Sequence, residues 1–208
     1  MSSTTRESTR DAILEGALEV LQRGGLRDAR MEDVAAAAGF SRQSVYYHFR
    51  SREELLSALL DRGLGDLVGE MQRAVASAPT EELVLVALRF FAANEVLCRL
   101  LVTELWGISG DPNEPREIVA RLDAEVTGPM ARRLEEEAAA GVITCDQPWI
   151  TAQALLGQVT GVAFEPIVAG KTVDLELIEP VLRGFTRAVL GLPAESATSG
   201  AQSGDGRS

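Results

Sequence analysis

Apolar side chains return at helical spacing almost from one end of this chain to the other, and strand signals are scarce. From Thr9 to Arg23, Ile13, Ala17, Val20 and Leu21 share one helical face, with Leu14 and Leu18 beside them, until Gly24-Gly25 ends the pattern. A second, short helix is expected over about 30–38, stopping at Gly39, and a third over about 42–49, capped by Ser41. Ser51 with Glu54 three residues on forms a capping box. It opens a long helix that carries Leu55, Leu59, Leu64, Leu67 and Met71 and closes at Ala78-Pro79. Further helices are expected over about 80–93, 94–107, 115–140, 147–169 and 174–191, with breaks at 107–115, Gly141 and Gly170. The expected fold class is all-α, with about nine helices: an N-terminal three-helix helix-turn-helix domain followed by a C-terminal helical domain. The expected organisation is a flexible N-terminal arm over 1–8, the helix-turn-helix over 9–51, the larger helical domain over 52–192 and a disordered tail over 193–208. Ten of the last sixteen residues are Ala, Ser or Gly.

Composition removes several classes of function. With 46% of 208 residues hydrophobic, the chain has ample material for a core, and overall disorder is excluded. The opening MSSTTRESTRDAIL lacks the apolar stretch of a signal peptide, so a cytoplasmic location is expected. Residues 147–164 carry no charge, but Gln147, Thr151, Gln153, Gln158 and Thr160 make them too polar for a lipid-facing span, and no membrane association is expected. Two cysteines, Cys98 and Cys145, and a single histidine cannot build a disulfide framework or a four-ligand zinc site of Cys and His. No metal site and no cofactor are expected. Catalysis is not expected either: the sequence has no Gly-rich phosphate loop, no nucleophile elbow and no pair of metal-spaced histidines. The acidic run Glu135–Glu137 reads as a solvated helix face.

The charge is uneven. The net charge is −11, yet residues 1–55 hold eight arginines against nine acids, and Ser41–Arg52 holds Arg42, Arg50 and Arg52 with no acid. A local basic patch in an acidic chain is compatible with a nucleic-acid partner. At about 100° per residue, Val45 and Phe49 share the buried face of the third helix. Gln43, Ser44 and Tyr47 lie opposite, with Tyr46 and His48 on the flanks and Arg42 at the amino end. Ala35 and Ala38 keep the second helix slim, so that another helix can approach closely, and Gly39 gives the turn its backbone freedom. Gln can bridge adenine N6 and N7, Arg can bridge guanine O6 and N7, and Tyr can reach phosphate.

In MEDVAAAAGFSRQSVYYHFRSREELL, the set Val34-Ala35, Ala38-Gly39, Ser41, Tyr46, His48-Phe49, Arg52 and Leu55 resembles the TetR-type transcriptional regulators. The resemblance covers about residues 9–60. It implies a DNA-binding regulator, most often a repressor, with DNA contacts from Arg30, Ser41, Arg42, Gln43, Ser44, Tyr46, Tyr47, His48 and Arg52. Three positions depart from the family pattern. Arg30 stands where Thr is usual, leaving Asp28 to cap the second helix and Arg30 to hold phosphate by charge. Arg52 replaces the usual Lys, and Phe40 fills the turn in place of a small aliphatic residue.

The later helices suggest self-association. A helix over 147–169 that is without charge over most of its length needs protein on more than one side. Gly157 and Gly161 allow close approach, and the next helix offers Ile178, Leu182, Phe185 and Val189 with Val181 beside them. A homodimer through a four-helix interface is expected, using Ala154, Gly157, Gln158, Gly161, Ile178, Val181, Leu182, Phe185 and Val189. Its two-fold symmetry implies a palindromic operator. The resemblance also implies a small-molecule effector of unknown identity, bound among the helices of about 52–140. Met71, Phe90, Phe91, Cys98 and Trp106 are candidates to line that pocket, and Arg89, Asn94, Arg99 and Glu104 are candidate polar contacts. The alternative function is a helical ligand- or partner-binding protein whose helix-turn-helix no longer binds DNA. The net acidity and Arg30 are its support.

Overall fold

The computed structural model describes the backbone of residues 2–28, 30–106 and 117–193, with side chains over 6–26, 30–103 and 117–193. Every regular element among them is helical. In order these are α1 (Ser2–Asp28), α2 (Met31–Ala38), α3 (Arg42–His48), α4 (Arg52–Ser77), a 3₁₀ turn (Thr80–Glu82), α5 (Leu83–Ala93) and α6 (Glu95–Trp106). Glu117–Leu122, a π turn at Asp123–Thr127 and Gly128–Ala139 run on as one helix, α7. Pro148–Val159, a second π turn at Thr160–Phe164 and Glu165–Val168 make α8, and α9 spans Leu175–Val189. That makes nine helices among the described residues. The expected break over 107–115 lies outside them, as does the expected tail from Ala194 onward.

Three local features refine the pattern. Residues 2–8 continue α1 instead of forming an arm, and Arg6, one turn inside, lays its guanidinium over the Tyr47 ring. Gly25 breaks the far end of α1 with φ 75° and ψ 177°, a backbone that only glycine adopts without strain. Each π turn stands just before a proline, Pro129 or Pro166. Proline has no N–H to return to the preceding turn and its ring crowds the carbonyl there, so the helix widens by one residue instead of breaking.

One continuous apolar core runs from Ile13 in α1 to Leu190 after α9. The helix-turn-helix is packed onto the larger bundle, with α1 against α4 and α6. Across α1 and α2 the approach is so close that a Cβ on Gly16 would stand 2.7 Å from the Ala38 nitrogen. The slimness of Ala38 therefore serves its contact with α1. Helix α9 is tied to the 3₁₀ turn and α5 by ion pairs: Arg187 with Glu81, Arg183 with Glu82, and Arg89 with Glu179.

No helix among the described residues is long and apolar enough to cross a membrane.

Candidate nucleic-acid interface

The helix-turn-helix is built from local chemistry. Gly39 ends α2 with φ 72° and ψ 24°, and the amides of Gly39 and Phe40 close onto the carbonyls of Ala36 and Ala35. Ser41 then caps α3, its Oγ accepting from the Ser44 amide at 3.2 Å. Ser51 caps α4 in the same way on Glu54. The Glu54 carboxylate reaches back to the amide of Arg50 at 2.7 Å, one residue beyond the usual capping-box partner. Helix α2 takes no side-chain cap: Arg30 occupies the cap position, and Glu32 and Asp33 complement the helix dipole in the first turn. The side chain of Asp28, the expected alternative cap, lies outside the described residues.

Val45 and Phe49 are buried and fix the roll of α3 about its axis. That roll turns Ser41, Arg42, Gln43, Tyr46 and Tyr47 outward, with Ser44 and His48 half-buried at the edge. Tyr47 is 67% exposed, an extent that a purely packing role would not explain. At seven residues, α3 is about 10 Å long, which fits within a major groove about 12 Å wide.

Several of the expected DNA contacts are already engaged. Arg42 pairs with Glu32 of α2 at 2.9 Å and lies over the Tyr46 ring, its guanidinium 5.4 Å from the centroid. Arg52 is half-buried and donates to the Leu26 carbonyl, tying the start of α4 to the end of α1. Arg30 and Arg50 stand exposed.

Sequence reasoning missed two cations from α1. Arg6 sits 5.3 Å from the centre of the Tyr47 ring, and Arg10 sits 5.0 Å from that of Phe49. Partial burial, followed by the charges of Arg6 and Arg10, holds the His48 imidazole below its usual pKa of 6.5. The only early signal was the i, i+4 spacing of the two arginines, which places them on one face.

The outer face of α8 and α9 leaves Ile150, Val168, Leu177, Val181, Phe185 and Val189 exposed. Gly157, Gly161 and Ala154 lie on the outside, with open space around both glycines. Two expected interface residues turn inward. Leu182 is 4% exposed and belongs to the chain's own core, and Gln158 directs a buried Nε2 into its own chain without a hydrogen-bond partner. Ile178 is half-buried between the two environments. Leu177, Ile150 and Val168 were the apolar residues missed on this face.

The candidate effector residues divide. Met71, Phe90, Phe91 and Cys98 are buried in the packed core, where Phe91 meets Phe90 and Phe164 edge to face. Burial pushes the Cys98 thiol up to about 12, so it stays neutral. Arg89 is taken up by Glu179 and Glu82 on the surface. Asn94 and Arg99 instead open on a cleft of about 410 Å³ between α1, α4 and the start of α6. Leu18 and Gln22 line it from α1, with Arg62 and Asp66 from α4. The side chains of Glu104 and Trp106 lie outside the described residues.

Comparison with known proteins locates the similarity. Residues 13–59 match the profile of bacterial regulatory proteins of the tetR family. The transcriptional regulator SrpR of Pseudomonas putida is 43% identical over 54 residues, 26% of this chain and 25% of that protein. The transcriptional repressor KstR2 of Rhodococcus jostii is 34% identical over 83 residues, 40% of this chain and 41% of that protein. The chain thus spans between a quarter and two-fifths of the length of these relatives. Over the whole fold, SmeT in complex with triclosan superposes with a TM-score of 0.66 at 22% identity, covering 97% of this chain and 100% of that one. Residues 13–59 thus carry the helix-turn-helix domain of the tetR family of bacterial regulatory proteins, and the described helices around it share the fold of SmeT.

Proposed function

We propose that this chain is a sequence-specific DNA-binding transcriptional regulator, a homodimeric repressor that leaves a palindromic operator when a small molecule binds. The observation that carries the reading is the outward row Arg42, Gln43 and Tyr47, held at fixed roll by Val45 and Phe49. Gln43 and Arg42 supply donors and acceptors suited to base edges, while Ser41, Ser44, Tyr46, Tyr47, His48 and the nearby arginines are suited to the backbone. Since Arg42 is paired with Glu32, base or phosphate contact requires it to exchange one anionic partner for another.

The dimer reading is supported by the exposed Val181, Phe185 and Val189 beside the open Gly157 and Gly161. Two copies related by a two-fold axis present two recognition helices to successive turns of one DNA face. The effector reading is supported by the cleft between α1 and α4, since a molecule seated there touches both the DNA-binding domain and the larger bundle. Such a ligand shifts the operator equilibrium only by its differential affinity for the two arrangements.

Fluorescence anisotropy against DNA from the chain's own upstream region and against a scrambled duplex tests the reading. Tight, salt-dependent preference for the upstream DNA supports it. Equal absence of binding to both, at low and moderate salt, favours a helix-turn-helix that no longer binds DNA.

A further inference from the structure

We propose that Arg6 and Arg10 of α1, set against the rings of Tyr47 and Phe49, form a second seat for DNA backbone phosphate outside the helix-turn-helix. The inference rests on the DNA-binding reading and adds residues to it. Arg6 and Arg10 are one turn apart on one face, an arrangement of like charges that an isolated helix disfavours. Among the described residues neither forms an ion pair. Glu7 and Asp11 follow them directly in sequence and so point to other sides of α1.

The arginines are held by aromatic faces instead, at 5.3 Å for Arg6 over Tyr47 and 5.0 Å for Arg10 over Phe49. A guanidinium stacked on a ring keeps its N–H edge free, and that edge matches two oxygens of a phosphate. The position matters as much as the chemistry. Tyr47 lies on the outward face of α3, so whatever backbone it meets is within reach of Arg6. His48 is the next residue on that helix and packs edge to face with Tyr47 at 5.3 Å. Two guanidiniums, an imidazole and a phenol therefore converge where α1 passes the end of α3. Burial first, and then these two charges, hold the neighbouring His48 imidazole below its usual pKa. Backbone phosphates in the seat, one at each guanidinium, would relieve their repulsion.

Affinity for a 30-base-pair duplex of arbitrary sequence, measured across a salt series, tests the seat. Each phosphate contact contributes about 0.9 to the slope of log affinity against log salt, so Arg6→Gln with Arg10→Gln should lower that slope by about 1.8. If binding at 1 M salt is unchanged, the same slope predicts about a thirtyfold loss at 0.15 M. The Arg6→Lys, Arg10→Lys pair should keep the slope. Should the glutamine pair not fold, each single glutamine variant is expected to lose about 0.9. An unchanged slope in the glutamine variants, with wild type binding normally, overturns the seat alone. Equal loss in the glutamine and lysine pairs also overturns it, by assigning the arginines a packing role. Wild type that binds no duplex overturns the DNA-binding reading beneath it.

Discussion

Replacing Gly16 by alanine reverses the usual outcome of a glycine-to-alanine change in a helix. Alanine normally favours a helix interior over glycine by about 1 kcal/mol. At Gly16, however, the new Cβ would lie 2.7, 2.8 and 2.9 Å from the nitrogen, Cβ and Cα of Ala38. Comfortable carbon contacts begin near 3.5 Å, so α1 and α2 must separate by about 1 Å. The displaced atoms are backbone and the methyl attached to it, and neither can rotate away. Overpacking of this kind costs about 1–3 kcal/mol, and the rigidity here places it toward the upper end. The net expectation for Gly16→Ala is a loss of about 1–2 kcal/mol, or about 2–8 °C in melting temperature for a chain of this size. Because α2 carries the turn into α3, DNA affinity should fall as well. Gly69→Ala is the control, since its Cβ would meet only the flexible end of Arg73 at 3.4 Å. That variant should gain up to about 1 kcal/mol. Urea unfolding followed by helical circular dichroism compares the two. A Gly16→Ala protein at least as stable as wild type would refute the close-crossing argument.

Other substitutions read the remaining features. Gln43→Ala should relax preference at one base position at a cost of about 1–3 kcal/mol, and equal loss on selected and random DNA in anisotropy titrations would exclude a base contact. Arg52→Ala should weaken all duplexes and also lower the melting temperature, because the side chain links α4 to the Leu26 carbonyl; a purely phosphate-binding arginine would leave melting unchanged. His48 sits below pKa 6.5 in the free protein through burial, Arg6 and Arg10, and phosphate would draw its pKa upward. DNA binding should then take up a proton, so affinity rises as pH falls from about 7.5 to 6, and His48→Gln should remove that component. Val181→Glu should convert a dimer to monomer in sedimentation experiments while leaving the helical signal intact, since the side chain is 66% exposed in the single chain.

The sequence revealed most where local periodicity and capping act alone. The three helices of the DNA-binding domain, the Ser41 and Ser51 caps and the buried pair Val45 and Phe49 were all legible, because each depends on neighbours within about five residues. The π turns were not: Pro129 and Pro166 were visible, but whether a helix breaks or widens at proline depends on what packs around it. Helix α9 shows another limit. Val181 and Leu182 are adjacent and both apolar, and only the position of α5 decides that Leu182 enters the core while Val181 faces out. Nor can helical spacing distinguish a pocket wall from a filled core, and Met71, Phe90, Phe91 and Cys98 suit either by their spacing. Arg6 and Arg10 escaped because their partners, Tyr47 and Phe49, lie about forty residues away in sequence.

Selection of duplexes from a random pool, followed by footprinting of the winners with the full chain, tests the central claim most directly. The account predicts enrichment of an inverted repeat, with two protected half-sites centred one helical turn or a multiple apart, and a Gln43→Ala variant that relaxes the same position in each half. A pool that shows no enriched sequence, at salt low enough for the wild-type protein to bind duplex DNA at all, would contradict sequence-specific recognition by α3.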